Sequence, residues 1–197
     1  SLHDALPICS RNTESFMGLF NASLYRSFAV GFALGAFALF LTLDAEALEE
    51  YYDVEMEYNN TSVQIDLNFD NSSIDIQKLE TAKHFIDNIR IHDLSNRKHI
   101  EKDFADEDGD TVMEYIDMHL ENLGEPEIAS LIGPNTKKAD QPRLLMQKLH
   151  LIRVGLYPHN EDQYATFDYS IAPEIMDHLV VVFTDINGNL DYMTIES

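Results

Sequence analysis

Two stretches of strict alternation, "EYYDVEMEY" and "VQIDLNF", separated only by "NNTS", constrain this chain more than any other feature. In the first, Tyr52, Val54, Met56 and Tyr58 fall on one side, and Tyr51, Asp53, Glu55 and Glu57 on the other. In the second, Val63, Ile65, Leu67 and Phe69 alternate with Gln64, Asp66 and Asn68. A period of two is the repeat of a strand with one buried face. Two such runs joined by a polar turn predict a β-hairpin that turns its apolar side chains to a core and its acids to water.

After "DNSS" the period changes. Ile76, Leu79, Ala82, Phe85, Ile86 and Ile89 recur three or four residues apart behind Asp75, a capping residue, and predict a helix ending near Leu94. A second, polar helix is expected from Ser95, as its cap, through Phe104. Asp108-Gly109 breaks it before Val112, Tyr115, Ile116, His119, Leu120 and Leu123 resume helical spacing, with Asp110 or Thr111 as cap and Gly124 as stop. Pro126 opens a short helical turn that Gly133-Pro134 closes, and "NTKKADQP" reads as an exposed loop.

Four strand-like runs follow, "LHLIRVGLY", "YATFDYSI", "LVVVFT" and "LDYMTI", with hairpin-turn chemistry from Asp185 to Asn189 between the last two. "VVVF" is apolar throughout and is expected at the centre of the sheet. Two strands, then helices, then four strands predict an α+β domain: an antiparallel sheet of about six strands with the helices packed on one face.

The N-terminal part reads differently. Ser1–Ile8, "SLHDALPI", has the appearance of translated sequencing adaptor and is set aside as an artefact. Ser27 to Leu43 carries no charge, with Arg26 before it and Asp44 and Glu46 after it. Read from Met17, the segment 17–43 resembles a signal or membrane anchor, with an apolar stretch at the short edge of what spans a bilayer; the alternative is a segment joined by misassembly. Gly31 and Gly35 carry the spacing of a helix-packing motif, a weak signal alone. Both alternatives place 1–43 outside the folded domain, which is expected to be a single unit covering 44–197.

Charge excludes one class of partner. The chain has 13 basic and 35 acidic residues; setting aside Arg11, Arg26, Asp4 and Glu14 leaves 11 against 33 in the domain. Nucleic acid is not an expected partner, because phosphate binding requires clustered Lys and Arg. A basic protein or a cation fits better. The only cysteine, Cys9, precedes the domain, so the domain has no disulfide and no thiolate chemistry, as is usual for a cytoplasmic protein. Membrane association is expected only if 17–43 is genuine.

Catalytic motifs are sparse. Asp106, Asp108 and Asp110 fall at the first three ligand positions of a calcium loop, but Thr111 and Asp117 occupy the positions that need glycine and a bidentate glutamate. A solvated turn and helix cap is the expected reading, as is a hairpin turn for "DINGNLDYMTIE". The seven domain histidines, at 84, 92, 99, 119, 150, 159 and 178, show no paired metal-ligand spacing. His119 sits on an apolar helical face and is expected to be partly buried and satisfied. No serine nucleophile elbow and no glycine-rich phosphate loop occurs, and no cofactor or catalytic residue is indicated. The feature above background is the outward hairpin face, where Asp53, Glu55, Glu57 and Asp66 collect on adjacent strands and repel unless water, a cation or a basic partner neutralises them. Tyr51 and Tyr169 are expected to flank that surface, tyrosine beside acid being common in protein recognition.

The phrases "LEEYYDVEMEYN", "VQIDLNF", "EKDF…EDGDTV", "KLHLIRVGLYP", "FDYSI" and "LVVVFTDINGNLDYMTIES" together resemble a bacterial family catalogued as Domain of unknown function 2004, over about residues 43–197. The resemblance implies a small, soluble, cytosolic acidic domain and carries over no catalytic residue. The expectation is therefore a non-enzymatic binding module, immunity-like or inhibitor-like, whose acidic face engages a basic protein. The alternative is a metal-dependent hydrolase built on carboxylates and histidines such as Asp106, Asp108, Asp110 and His99.

Overall fold

The computed structural model describes residues 50–59, 61–69 and 75–197; the adaptor-like opening and the apolar segment 17–43 lie outside the described residues. The predicted hairpin forms from β1 (Tyr51–Tyr58) and β2 (Thr61–Asn68), antiparallel and in unbroken register from Tyr51 opposite Asn68 to Tyr58 opposite Thr61. Asn59 takes a positive φ of 51° in the turn, a conformation that asparagine adopts more readily than most residues.

Helices α1 (Ile76–Asp87), α2 (Ile89–Ala105), α3 (Thr111–Asn122), α4 (Glu125–Ile132) and α5 (Gln141–Met146) follow, then β3 (His150–Leu156), β4 (Ala165–Ser170), β5 (Leu179–Thr184) and β6 (Leu190–Glu196). The sheet order is β1-β2-β3-β4-β5-β6. It is an α+β fold, with one departure from the expected antiparallel sheet: β2 and β3 run parallel. Parallel neighbours need a long crossover, and the helices between β2 and β3 are that crossover.

Val63, Ile65, Leu67, Val154, Leu156, Phe167, Tyr169, Val180 and Val182 face the helices and join Phe85, Ile89, Ile100, Val112, Tyr115, Ile116 and Leu145 in one core. The opposite sheet face, which carries Gln64, Asp66, Arg153, Asp168 and Phe183, contributes nothing to that core. "VVVF" is not central as expected. It forms β5, second from the edge, while β3 and β4 hold the middle. Val180 and Val182 still enter the core, and Val181 is buried on the other face, so the uniform apolarity reflects burial on both sides.

The first helical break also differs. Asp75 caps α1 as predicted, its Oδ1 accepting from the Gln77 amide at 3.0 Å. The chain breaks at Asn88, whose side-chain amide donates to the His84 carbonyl at 2.8 Å, and Leu94-Ser95 lies inside α2. Asparagine offers the backbone this local alternative, and Phe85 and Ile89 stay buried on either side of it. At α3 the expected cap, Asp110, makes no capping bond; Asp103 reaches across the turn and accepts from the Val112 amide at 2.7 Å. Gly124 ends α3 and precedes α4, and Gly133 ends α4 at φ 99°, as predicted. The "NTKKADQP" stretch is more ordered than expected, holding a 3₁₀ turn, Lys138–Asp140, and the start of α5.

The β5–β6 turn is built as its sequence predicts. Asp185 Oδ1 accepts from the Asn187 and Asn189 amides, both at 2.8 Å, and these donors outweigh burial to hold its carboxyl below the usual range. Gly188 has φ 76°, and a Cβ there would collide with the His92 ring, which stacks on Phe85 at 4.1 Å. Gly188→Ala is expected to lower the unfolding free energy by about 2 kcal/mol, read from the urea midpoint, because the left-handed backbone and the collision act together. An unchanged midpoint would mean that the turn does not rest on α2.

Candidate protein interface on the hairpin face

The acids of the hairpin sit on the sheet face opposite the described helices, and the sheet register shows what surrounds them. Asp53 stands opposite Asp66, Glu55 opposite Gln64 and Glu57 opposite Ser62. Across β2 and β3, Gln64 pairs in register with Arg153 and Asp66 with Gly155; Arg153 in turn stands opposite Asp168 on β4. Period-two alternation therefore delivers Asp66, Arg153 and Asp168 to one spot from three strands.

The four predicted acids separate into two groups. Asp53, Glu55 and Glu57 are exposed along β1, with the Ser62 hydroxyl donating to Glu55 Oε2 at 3.3 Å. Asp66 corrects the expectation. It is 1% exposed and lies within an internal cluster instead of the solvated row. Arg153 Nε donates to Asp66 Oδ2, and Arg153 Nη1 donates to Asp168 Oδ2 at 2.8 Å. Asp66 Oδ1 accepts from Tyr51 Oη at 2.9 Å and from Gln64 Nε2 at 2.8 Å. Like charges directly opposite destabilise a sheet. The buried member of the Asp53 and Asp66 pair is the one given a cation.

Electrostatics within the cluster oppose burial. Desolvation works to lower the Arg153 pKa, and the hydrogen bonds and charges of Asp168 and Asp66 more than reverse it, so arginine is held in its charged form. Burial raises the Asp168 carboxyl, Arg153 draws it back, and Glu196 and Asp66 push it up again; the net direction is upward. Gly155 keeps room for the fork, since a Cβ there would stand 2.7 Å from Thr166 Oγ1 and 3.3 Å from Arg153 Nη2.

Of the two tyrosines expected to flank the surface, Tyr51 does so at 45% exposure. Tyr169 does not: it is fully buried on the helix side, and its hydroxyl donates to Asp93 Oδ1 at 2.9 Å. His119 is also more deeply placed than expected, with Nδ1 2.9 Å from the Tyr115 carbonyl and a buried Nε2 that has no partner among the described residues. Burial lowers its pKa, against the raising effect of that carbonyl.

Asp106, Asp108 and Asp110 lie on the turn between α2 and α3. Asp106 Oδ1 accepts from the Asp108 amide at 3.2 Å, and Asp110 takes the cap position of α3. Among the described residues no group of three or more His, Cys, Asp or Glu side chains converges to hold a metal ion. Asp110 instead lines a cleft of about 540 Å³ with Glu114, His178 and Glu196. Likewise, among the described residues no helix is long and apolar enough to cross a membrane.

Arg153 and Asp168 were not singled out from the sequence, although their signal is present: each interrupts an apolar strand run at an alternate position, as in "LIRVGL" and "TFDYS". What the sequence lacks is the pairing of β2 with β3, which brings Arg153 within reach of a residue 87 positions away. No protein-family model, curated protein or solved structure matches the chain.

Proposed function

We propose that this is a non-enzymatic binding module, inhibitor-like or immunity-like in mode, whose β1 face engages a basic protein. The observation that carries the reading is the row of Asp53, Glu55 and Glu57: all three are exposed, and among the described residues no Lys or Arg forms an ion pair with them. The neighbouring Asp66 has its own arginine, so the fold neutralises the buried acid and leaves the outer row to water. Partly exposed Tyr51 at the end of the row adds a flat amphipathic contact of the kind enriched at interfaces. Clustered charge of one sign speeds association with a complementary surface and makes it sensitive to salt.

The test compares two charge-reversed proteins of equal net charge. One carries Asp53→Lys, Glu55→Lys and Glu57→Lys; the other carries Glu80→Lys, Glu101→Lys and Glu121→Lys on exposed helix positions. Basic proteins retained from host lysate by the parent are expected to be lost by the first variant and kept by the second, and to be released as salt rises. Equal retention by parent and first variant would overturn the reading, because binding would then not use the β1 row.

A further inference from the structure

We infer that the partner binds by adding an extended, basic strand to the outer edge of β1, an inference that rests on the reading above and names its geometry. β1 is the terminal strand of the sheet, with β2 on its only paired side among the described residues. Its eight residues pair without a bulge, and "YYDVEMEY" holds neither proline nor lysine. Short length, proline, lysine and bulges are the usual devices that blunt a sheet edge. Among the described residues none of the four is present, and about half of the strand's backbone N–H and C=O groups point away from β2, toward the side on which no described strand pairs.

The side chains of β1 define the sequence that fits. A strand laid beside β1 places alternate residues over Asp53, Glu55 and Glu57, and the intervening ones beside Tyr52, Val54, Met56 and Tyr58, which are half-buried against the core. Cross-strand neighbours interact directly, so the matching segment alternates Lys or Arg with apolar residues. A second copy of this chain does not fit, because β1 against β1 would set acid against acid. The same row therefore discourages self-pairing and selects a basic strand, attraction and exclusion arising from one set of charges. The opposite edge, β6, is a poorer platform: its pairing with β5 shifts register between Phe183 and Thr184. Strand addition draws affinity from main-chain hydrogen bonds and specificity from alternate side chains, and β1 offers both.

The test uses the full chain and a fluorescent, capped peptide of alternating lysine and valine, matched to β1 in length. Its analogue, N-methylated at every backbone amide, keeps the charge and side chains and loses the N–H donors. The expected results are saturable binding of the parent peptide, at least about tenfold weaker binding of the methylated one, and slowed hydrogen exchange of β1 amides in the complex. Equal binding of the two peptides would overturn strand addition while leaving an acidic interface in place. No binding of either would also overturn it. Asp53→Asn, Glu55→Gln and Glu57→Gln together are expected to abolish peptide binding; unchanged binding by that variant would instead sink the acidic-interface reading itself.

Discussion

Asp93→Ala is expected to lower the unfolding free energy by about 2–3 kcal/mol, measured by urea denaturation, because it removes the one carboxylate that Tyr169, Tyr58 and Arg97 share. Asp93 is 1% exposed on α2. Its Oδ1 accepts from the Tyr169 hydroxyl at 2.9 Å, and its Oδ2 from the Tyr58 hydroxyl at 2.9 Å and from Arg97 Nε at 3.0 Å. Arg97 also donates to the Leu149 carbonyl at 3.1 Å and lies 5.7 Å from the centre of the Tyr169 ring. Burial, followed by the Asp93 charge, pushes the Tyr58 hydroxyl up to about 12 and the Tyr169 hydroxyl well above its usual range, so both remain donors at neutral pH. Alanine leaves the Tyr169 and Tyr58 hydroxyls without this acceptor while Arg97 keeps the Leu149 carbonyl, and unmade buried hydrogen bonds cost more than made ones contribute.

The network also bears on the interface, since Tyr58 is the last residue of β1. Tyr58→Phe deletes a single donor and is expected to cost about 1 kcal/mol, with less than additive loss when combined with Asp93→Ala. In Asp93→Ala the β1 amides are expected to exchange faster, because the clasp that ties the edge strand to α2 is gone. A loss below about 1 kcal/mol in Asp93→Ala would show that water replaces the carboxylate.

The elements themselves were largely legible because burial imposes its period on the sequence. β1 and β2 could be read residue by residue, including the inward set Val63, Ile65, Leu67 and Phe69, all of which are buried. Hidden from a reading of single segments was everything set by pairing between distant ones. The alternation puts Asp66 on the correct face but in water, and its burial follows from Arg153 and Asp168 arriving beside it. Tyrosine beside acid suggests a surface role for Tyr169, yet its partner Asp93 belongs to a helix 76 positions earlier. Asn88 broke the helix before Ser95 could cap a new one, a local competition in which two plausible residues differ only in the bonds they find. For the candidate site, therefore, the exposed row of Asp53, Glu55 and Glu57 was readable and the charge cluster behind it was not.

Arg153→Met is the second substitution with a large expected effect, and its size depends on pH. At about pH 7 the variant is expected to lose about 3–5 kcal/mol, because methionine fills the space and leaves Asp66 and Asp168 buried as like charges. Burial already raises the Asp168 carboxyl with the arginine present, and Glu196 and Asp66 push in the same direction. A carboxyl whose folded pKa lies above its unfolded value takes up protons on folding. Its contribution to stability is present at low pH and is lost as pH rises through the folded pKa. Removing Arg153 takes away the hydrogen bond and charge that oppose this rise at Asp168 and enlarges that loss. The gap between parent and variant should therefore be widest at neutral pH and shrink as pH falls into the carboxylate range; comparing the two proteins at each pH cancels the protonation of the many surface acids they share. Adding Asp66→Asn and Asp168→Asn to Arg153→Met should restore most of the lost stability at neutral pH, because a buried ion cluster removed whole costs far less than one deprived of its cation. A gap that stays constant with pH would assign the loss to packing of the arginine stem and not to its charge.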